Sequence, residues 1–218
     1  MLQTVMALPE EFDVLVVDDN SPDGTADLVK AAQAIHPRIY LLENGKKNGL
    51  GGAYIAGFKW CLEKEYDYIF EMDCDFSHNP KDLVRLYEAC SKDGADMSVG
   101  SRYTTGGKVE NWPIGRVLMS YFASVYVRLI LWLNLKDTTA GFVCYKRKVL
   151  ETIDLPAIRF VGYAFQIEMK YTVHLHGFII KEVPITFTDR VVGESKMSSK
   201  IFKEALFGVL IMKGKSVK

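Results

Sequence analysis

Two aspartates one residue apart, Asp73 and Asp75, close the mostly apolar run Tyr66-Asp67-Tyr68-Ile69-Phe70-Glu71-Met72, and Ser77, His78, Asn79 and Pro80 follow them. Such a run reads as a buried strand, and in an open α/β sheet ligands collect at the carboxyl ends of the strands. Two carboxylates held there repel each other unless a cation sits between them. Hard divalent cations such as Mg²⁺ take one or two carboxylates and complete their shell with phosphate oxygens. The pair therefore points to a metal-held diphosphate. A strand-end turn followed by a helix cap is the plainer alternative.

Other segments carry weaker signals of the same kind. The strand Val14-Leu15-Val16-Val17 ends in Asp18-Asp19, where a carboxylate could meet a ribose or a base edge. Asn20 to Thr25 reads as a turn and N-cap cluster. Gly49-Leu50-Gly51-Gly52 lacks the spacing of a dinucleotide fingerprint or a P-loop, and reads as a flexible strand-to-helix turn. Arg190, Glu194, Ser195 and Lys196 form a Gly-containing loop that could bring cations onto a diphosphate. His174 and His176 are two apart on a helix and face different ways, which argues against chelation. His78 reads as a cap for the next helix or as a neighbour of the metal.

The elements that must position these residues alternate through the first half. Strands are expected at Phe12–Asp19, Ile39–Glu43, Tyr68–Asp73 and Met97–Tyr103. Helices are expected at Thr25–His36, from Gly49 to about Glu65, and from Pro80 to Lys92. That rhythm implies a mostly parallel sheet with helices on both faces. The second half predicts a long helix from about Pro113 to Leu133, a short strand near Phe142–Tyr145 and a helix at Tyr163–His176. A strand at Ile179–Thr188 and a closing helix from about Ser199 to Lys213 complete it. With 218 residues and no internal repeat or linker, one α/β domain is expected.

The long helix carries Arg116, Ser120, Ser124 and Arg128 at four-residue steps, a slowly winding polar stripe among Val117, Leu118, Tyr121, Phe122, Val125, Leu129 and Trp132. It suits either a lipid–water interface or a core helix with paired arginines. The last helix repeats the interfacial pattern with Ile201, Phe202, Ala205, Leu206, Val209 and Leu210, and two such elements favour a membrane surface. No run of about eighteen uncharged apolar residues is present, which argues against a spanning helix. Acids and bases balance at 27 each, so no overall field recruits nucleic acid, although lysines crowd the C-terminus. Cys61, Cys74, Cys90 and Cys144 lack Cys-x-x-Cys spacing and no secretory signal precedes them, which fits a reduced, cytosolic setting and no zinc site.

Taken in order, the segments resemble family 2 glycosyltransferases of the polyprenol-monophosphate mannose (dolichol-phosphate mannose) synthase type. The matching stretches are Val-Val-Asp-Asp-Asn-Ser-Pro-Asp-Gly-Thr (16–25), Gly-Leu-Gly-Gly-Ala-Tyr (49–54), Met-Asp-Cys-Asp-Phe-Ser-His-Asn-Pro (72–80) and Gly-Ser-Arg-Tyr (100–103). Asp-Thr-Thr-Ala-Gly-Phe (137–142), Gly-Tyr-Ala-Phe-Gln-Ile-Glu (162–168) and Asp-Arg-Val-Val-Gly-Glu-Ser-Lys-Met (189–197) continue it. The resemblance implies a Rossmann-like nucleotide-diphospho-sugar transferase fold. It implies inverting transfer of a hexose, mannose from GDP-mannose, to a polyprenyl monophosphate with Mg²⁺ or Mn²⁺, peripherally on the cytoplasmic face of a membrane, with room for a separate anchor subunit. A UDP-glucose-using polyprenyl-phosphate glucosyltransferase and an inactive membrane-associated binding module are the alternatives.

By the same resemblance, Val17 and Asp19 contact the nucleoside, and Asp73, Cys74 and Asp75 hold metal and diphosphate. Ser77 stands where some members have a glutamine ligand. Arg102, Arg190 and Lys196 match the basic residues that meet phosphates, and Arg116 and Ser120 match helix positions near the lipid phosphate. The family opens with a central strand carrying Pro-x-Tyr-Asn-Glu. This sequence has no such segment, and Met1–Pro9 reads as the tail of the helix after it, so the resemblance implies an N-terminally shortened chain.

Overall fold

Alternation along each strand decides which layer of helices its side chains meet. The structure, a computed structural model, describes residues 1–45, 49–162, 164–189 and 199–214, with 199–205 described by the backbone alone. In chain order the elements are α1 (Leu2–Met6), β1 (Val14–Asp18), α2 (Thr25–Gln33), β2 (Ile39–Glu43), α3 (Gly49–Glu63), β3 (Tyr68–Glu71), α4 (Asp82–Ser91) and β4 (Met97–Ser101). They continue with β5 (Lys108–Glu110), α5 (Ile114–Leu131), β6 (Val143–Lys146), α6 (Arg147–Thr152), α7 (Ala164–Leu175), β7 (Ile180–Pro184), β8 (Thr186–Thr188) and α8 (Ser199–Lys213).

The central sheet has the order β3-β6-β4-β7, with β4 and β7 parallel and β6 antiparallel to both its neighbours. β1 and β2 form a parallel pair, as do β5 and β8. In β6, Val143 and Tyr145 point into one core with Phe58 of α3 and Phe165 and Met169 of α7. Cys144 points into the other, with Leu83, Leu86 and Cys90 of α4. Helices thus cover both faces, as the alternating pattern predicts. Among the described residues no backbone ladder joins β1 to β3. Side chains link them instead: Phe12 packs edge-on to Phe70 at 5.5 Å, and the Tyr66 hydroxyl donates to Asp13.

The reversed strand β6 matters for function. Its first residue, Val143, lies opposite both Glu71 and Val99, so residues 137–142 arrive at the edge where β3 and β4 end. A wholly parallel sheet would carry that loop to the far edge.

Two sequence expectations need correction here, and two elements are additional to them. The strand expected over Ile179–Thr188 is two, because Pro184 has no N–H and the ladder changes partner there, from β4 to β5. β5 and α6 are too short to show a period and were not expected. The glycine-rich start of α3 is a close-packed joint and not a flexible turn. A Cβ on Gly51 would sit 2.7 Å from the Phe165 ring and 2.8 Å from the Phe160 carbonyl, and the Gly51 N–H donates to Val161 O at 2.9 Å.

α5 and α8 share a third core with α7 through Val127, Leu131, Ile167, Tyr171, Val209 and Met212. The Tyr126 hydroxyl donates to Leu206 O at 3.0 Å, and Lys213 Nζ lies 5.1 Å from the Trp132 ring centre. A matching offset of about eighty residues at both points means the helices run side by side in the same direction. By length and mean hydropathy (1.4) α5 could cross a membrane, but one long side of it is committed to α7, α8 and the cavity described next.

Candidate active site

The turn after β3 sets the acidic pair. Phe76 holds φ at 62° with its ring exposed, an uncommon conformation for a bulky residue. Ser77 stabilises the turn, its N–H (3.0 Å) and hydroxyl (2.5 Å) both donating to Asp75 Oδ1. Tyr54 donates to Asp73 Oδ1 at 3.5 Å. His78 is not a helix cap: its Nδ1 accepts the Asp73 N–H at 3.3 Å, and its ring packs on Phe142 and Phe187. Since Nδ1 accepts, the proton of the neutral imidazole lies on Nε2.

Burial, helped by the nearby Arg102 charge, lowers the His78 pKa from 6.5 to about 4. Between those values the unfolded chain binds a proton that the folded one refuses. This contribution to stability is therefore full above about pH 6.5 and is lost as pH falls towards 4, worth roughly 3 kcal/mol. Urea unfolding of His78→Gln is expected to show a shallower fall in stability over that window than the parent. Identical slopes would refute the assignment.

Arg102, at the end of β4, is gripped by the loop that β6 brings alongside. Its Nε (2.7 Å) and backbone N–H (2.9 Å) donate to Asp137 Oδ2, and its Nη2 donates to Asp137 Oδ1 (2.7 Å) and Thr139 Oγ1 (2.8 Å). Asp137 is fully buried, and the guanidinium beside it holds its carboxyl below the usual range despite burial, which pushes the other way. Asp137 in turn is fixed through its N–H, which donates to Glu182 at 2.9 Å. In the sequence Asp137 belongs to the Asp-Thr-Thr-Ala-Gly-Phe stretch and carries no role of its own. An aspartate in a Thr-Thr-Ala-Gly loop signals nothing until the reversed strand delivers it to Arg102.

Behind the acidic pair lies a second buried network. Glu71 accepts from the Tyr145 hydroxyl (3.0 Å) and from Gln166 Nε2 (3.2 Å). Lys170, with no exposed surface, donates to Ala140 O (2.6 Å), Gln166 O (3.2 Å) and Gln166 Oε1 (3.1 Å). The Gln166 amide thus bridges an acid and a base that burial drives in opposite directions, Glu71 up and Lys170 down. Neither Lys170 nor Glu71 is distinguishable from a surface charge by sequence. Together they tie the Asp73 strand to the Thr139–Gly141 wall, and each partner left unpaired would cost roughly 1–3 kcal/mol.

These walls enclose a cavity of about 430 Å³. Asp73, His78, Arg102, Arg116, Ser120 and Thr139 line its polar end. Phe122, Ala123, Tyr126 and Val127 of α5 and Leu206 and Val209 of α8 add an apolar wall, with Ile167, Ile185 and Phe187 also in the lining. The structure thus brings four expected residues, Asp73, Arg102, Arg116 and Ser120, to one space. Cys74 and Asp75 continue from Asp73 on the same turn, with Cys74 exposed. Val17 and Asp19 lie at the end of β1, outside this cavity. Val17 packs towards α3, where a Cβ on Gly57 would be 3.3 Å from it, and Asp19 accepts from Asn44 Nδ2 at 3.0 Å. Asp18 instead holds its own turn through the Ser21 N–H. Arg190 and Lys196 lie outside the described residues, as do Glu194 and Ser195.

The polar stripe of α5 is not one environment. Each four-residue step advances about 40° around a helix. Arg116 and Ser120 therefore face the cavity, Ser124 is fully buried with no hydrogen-bond partner for its Oγ among the described residues, and Arg128 emerges on the outer shoulder. Arg116 lies 3.9 Å from the Trp112 ring centre and pairs with Asp189 at 3.1 Å.

Among the described residues no cluster of three or more His, Cys, Asp or Glu could enclose a metal. The donor set suits a hard cation that takes two carboxylate ligands, Asp73 and Asp75, and draws its other oxygens from a phosphorylated substrate. It does not suit zinc, which wants nitrogen or sulfur donors in a closed shell.

The fold is Rossmann-like, of the type found in nucleotide-diphospho-sugar transferases. Glucosyl-3-phosphoglycerate synthase from Mycobacterium tuberculosis, in a structure with Mn²⁺, UDP and phosphoglyceric acid, superposes with a TM-score of 0.64 over 93% of this chain and 68% of its own, at 15% identity. The family model for glycosyl transferase family 2 matches residues 1–154. An undecaprenyl-phosphate mannosyltransferase from Micrococcus luteus is 50% identical over 203 residues, 93% of this chain and 82% of the relative. A polyprenol monophosphomannose synthase from Mycolicibacterium smegmatis is 47% identical over 90% of this chain and 74% of its own. The chain belongs to glycosyl transferase family 2 and is a glycosyltransferase.

Proposed function

We propose that this enzyme transfers mannose from GDP-mannose to the phosphate of a polyprenyl monophosphate, peripherally on the cytoplasmic face of a membrane, with Mg²⁺ or Mn²⁺ held by Asp73 and Asp75. The observation that carries this reading is the mixed lining of the cavity: charged side chains at Asp73, Arg102 and Arg116, and apolar ones from α5 and α8 at Phe122, Val127, Leu206 and Val209. A phosphate on a long hydrocarbon has the matching shape. The names of the two bacterial relatives point the same way.

The chemistry needs little from the protein beyond placement. A phosphate monoester has a second pKa of about 6, so at neutral pH the acceptor is already an anionic nucleophile and needs no general base. This agrees with a site whose histidine has Nδ1 committed to the backbone. An acceptor oxygen attacks the anomeric carbon in line with the departing diphosphate. The bond from that carbon to the diphosphate oxygen breaks, and the configuration inverts. A divalent cation held by Asp73 and Asp75 would supply charge neutralisation for the leaving diphosphate. Arg116 and Ser120 receive the lipid phosphate, which competes with Asp189 for the guanidinium. Arg102, gripped along one edge by Asp137, presents its positive charge to phosphate oxygens. Val17 and Asp19 take the nucleoside, Cys74 lies along the diphosphate, and Arg190 and Lys196 complete its cationic shell. Fixing two mutually repelling phosphate groups in reach of each other is the main catalytic task.

On the outside, Leu118, Phe122 and Leu129 of α5 and Phe207, Leu210 and Ile211 of α8 are exposed. Such a face suits the interface of a bilayer, so the acceptor's tail stays in lipid while its headgroup enters. Incorporation of labelled sugar into undecaprenyl phosphate in mixed micelles tests the reading. GDP-mannose is expected to outcompete UDP-glucose, with activity abolished by EDTA and restored by Mn²⁺. Preference for UDP-glucose would make this a glucosyltransferase, and a failure to bind GDP with Mn²⁺ in calorimetry would leave only a binding module.

A further inference from the structure

The catalytic reading accounts for the inner half of the α5 stripe and leaves Arg128 unused. Arg128 lies about 18 Å along the helix from Arg116, twelve residues at about 1.5 Å each. There it borders a second concavity of about 340 Å³, formed with Val125, Leu129, Trp132, Leu133 and Asn134. Trp132 ends α5 in a left-handed conformation (φ 54°) that turns its ring outward, 80% exposed. Lys213, in the last turn of α8, lies over that ring at 5.1 Å. Among the described residues neither Arg128 nor Lys213 pairs with an acid.

The plain account is that both cations offset the negative ends of two parallel helices. Each helix end carries about half a negative charge. Two full positive charges against two halves leave the groove net positive, so the dipoles do not use them up. The groove also continues the exposed apolar face: Leu129 lines it and is 69% exposed, and Ile211 lies two residues before Lys213. An indole beside two cations at the border of an apolar stripe matches the headgroup level of a bilayer, where phosphodiesters and aromatic rings meet.

We propose that Arg128, Trp132 and Lys213 form a binding site for the phosphodiester headgroup of an anionic membrane lipid, distinct from the acceptor cavity. It would hold the α5–α8 face at a fixed depth and tilt on the bilayer. This rests on the membrane-surface reading above, and the test separates the two. Co-sedimentation of the full chain is measured with phosphatidylcholine vesicles and with vesicles also containing phosphatidylglycerol. The parent protein is expected to bind both, and the anionic vesicles more tightly. Arg128→Gln and Lys213→Gln should each weaken binding to anionic vesicles about fivefold, with binding to neutral vesicles unchanged. The charge-conserving pair Arg128→Lys and Lys213→Arg should restore it. Transfer to a short, detergent-dispersed acceptor should be the same in all variants.

Retention of the anionic preference in Arg128→Gln/Lys213→Gln would overturn the proposal and leave the membrane reading intact. So would loss of the preference on adding inorganic phosphate at constant ionic strength, which would indicate a site for free phosphate. Failure of the parent to bind either vesicle would refute both.

Discussion

Asp75→Asn is expected to lower mannosyl transfer at least ~100-fold, the scale seen when one stabiliser of transition-state charge is removed. The substitution is close to isosteric, and an asparagine Oδ1 still accepts both hydrogen bonds from Ser77, so the turn should hold. What is lost is the second negative charge at the strand end. Thermal unfolding should therefore move little, while GDP binding in the presence of Mn²⁺ weakens in calorimetry. A variant that folds, binds and transfers like the parent would remove the metal-held diphosphate from the account.

Asp137→Asn should damage both stability and turnover, for a different reason. Arg102 is only 9% exposed, and three of its donors end on the two Asp137 oxygens. An amide can accept on one side only and turns an NH₂ against the guanidinium on the other. Breaking a buried pair by one partner leaves an uncompensated charge and typically costs about 3–5 kcal/mol. A fall of that size in urea-derived stability, with transfer down at least ~100-fold, is the expected result. Arg102→Met/Asp137→Leu should recover much of the stability because both charges are gone, and none of the transfer. If the double variant regained activity, Arg102 would be a structural residue only.

Most strands and helices were legible because their periods are long and clean. Ile39–Glu43 and Ser199–Lys213 have the bounds the sequence suggests, and α3 begins at Gly49 as expected. The misses share a cause. β5 is three residues long, too short for a period, and Pro184 lies between Val183 and Ile185 in a run that reads as one strand. His78 looks like a cap because the residues after it begin a helix, but its partner, the Asp73 N–H, is defined only once the turn closes. The i, i+4 stripe on α5 was visible, whereas its passage from cavity to surface depends on where α8 lies.

The residues themselves set out the chemistry on offer: paired carboxylates after a buried strand, arginines at a strand end and a helix start, and two largely apolar helices. Those are local features, set by spacing and side-chain type. Tertiary structure decided which of them share a space. Strand β6 enters the sheet against its neighbours, so the Asp137 loop meets Arg102 and Asp73 at one edge, and parallel packing of α5 and α8 adds apolar residues to the same cavity. Pairing direction and helix register arise from contacts between residues tens of positions apart, and no short window of sequence contains them.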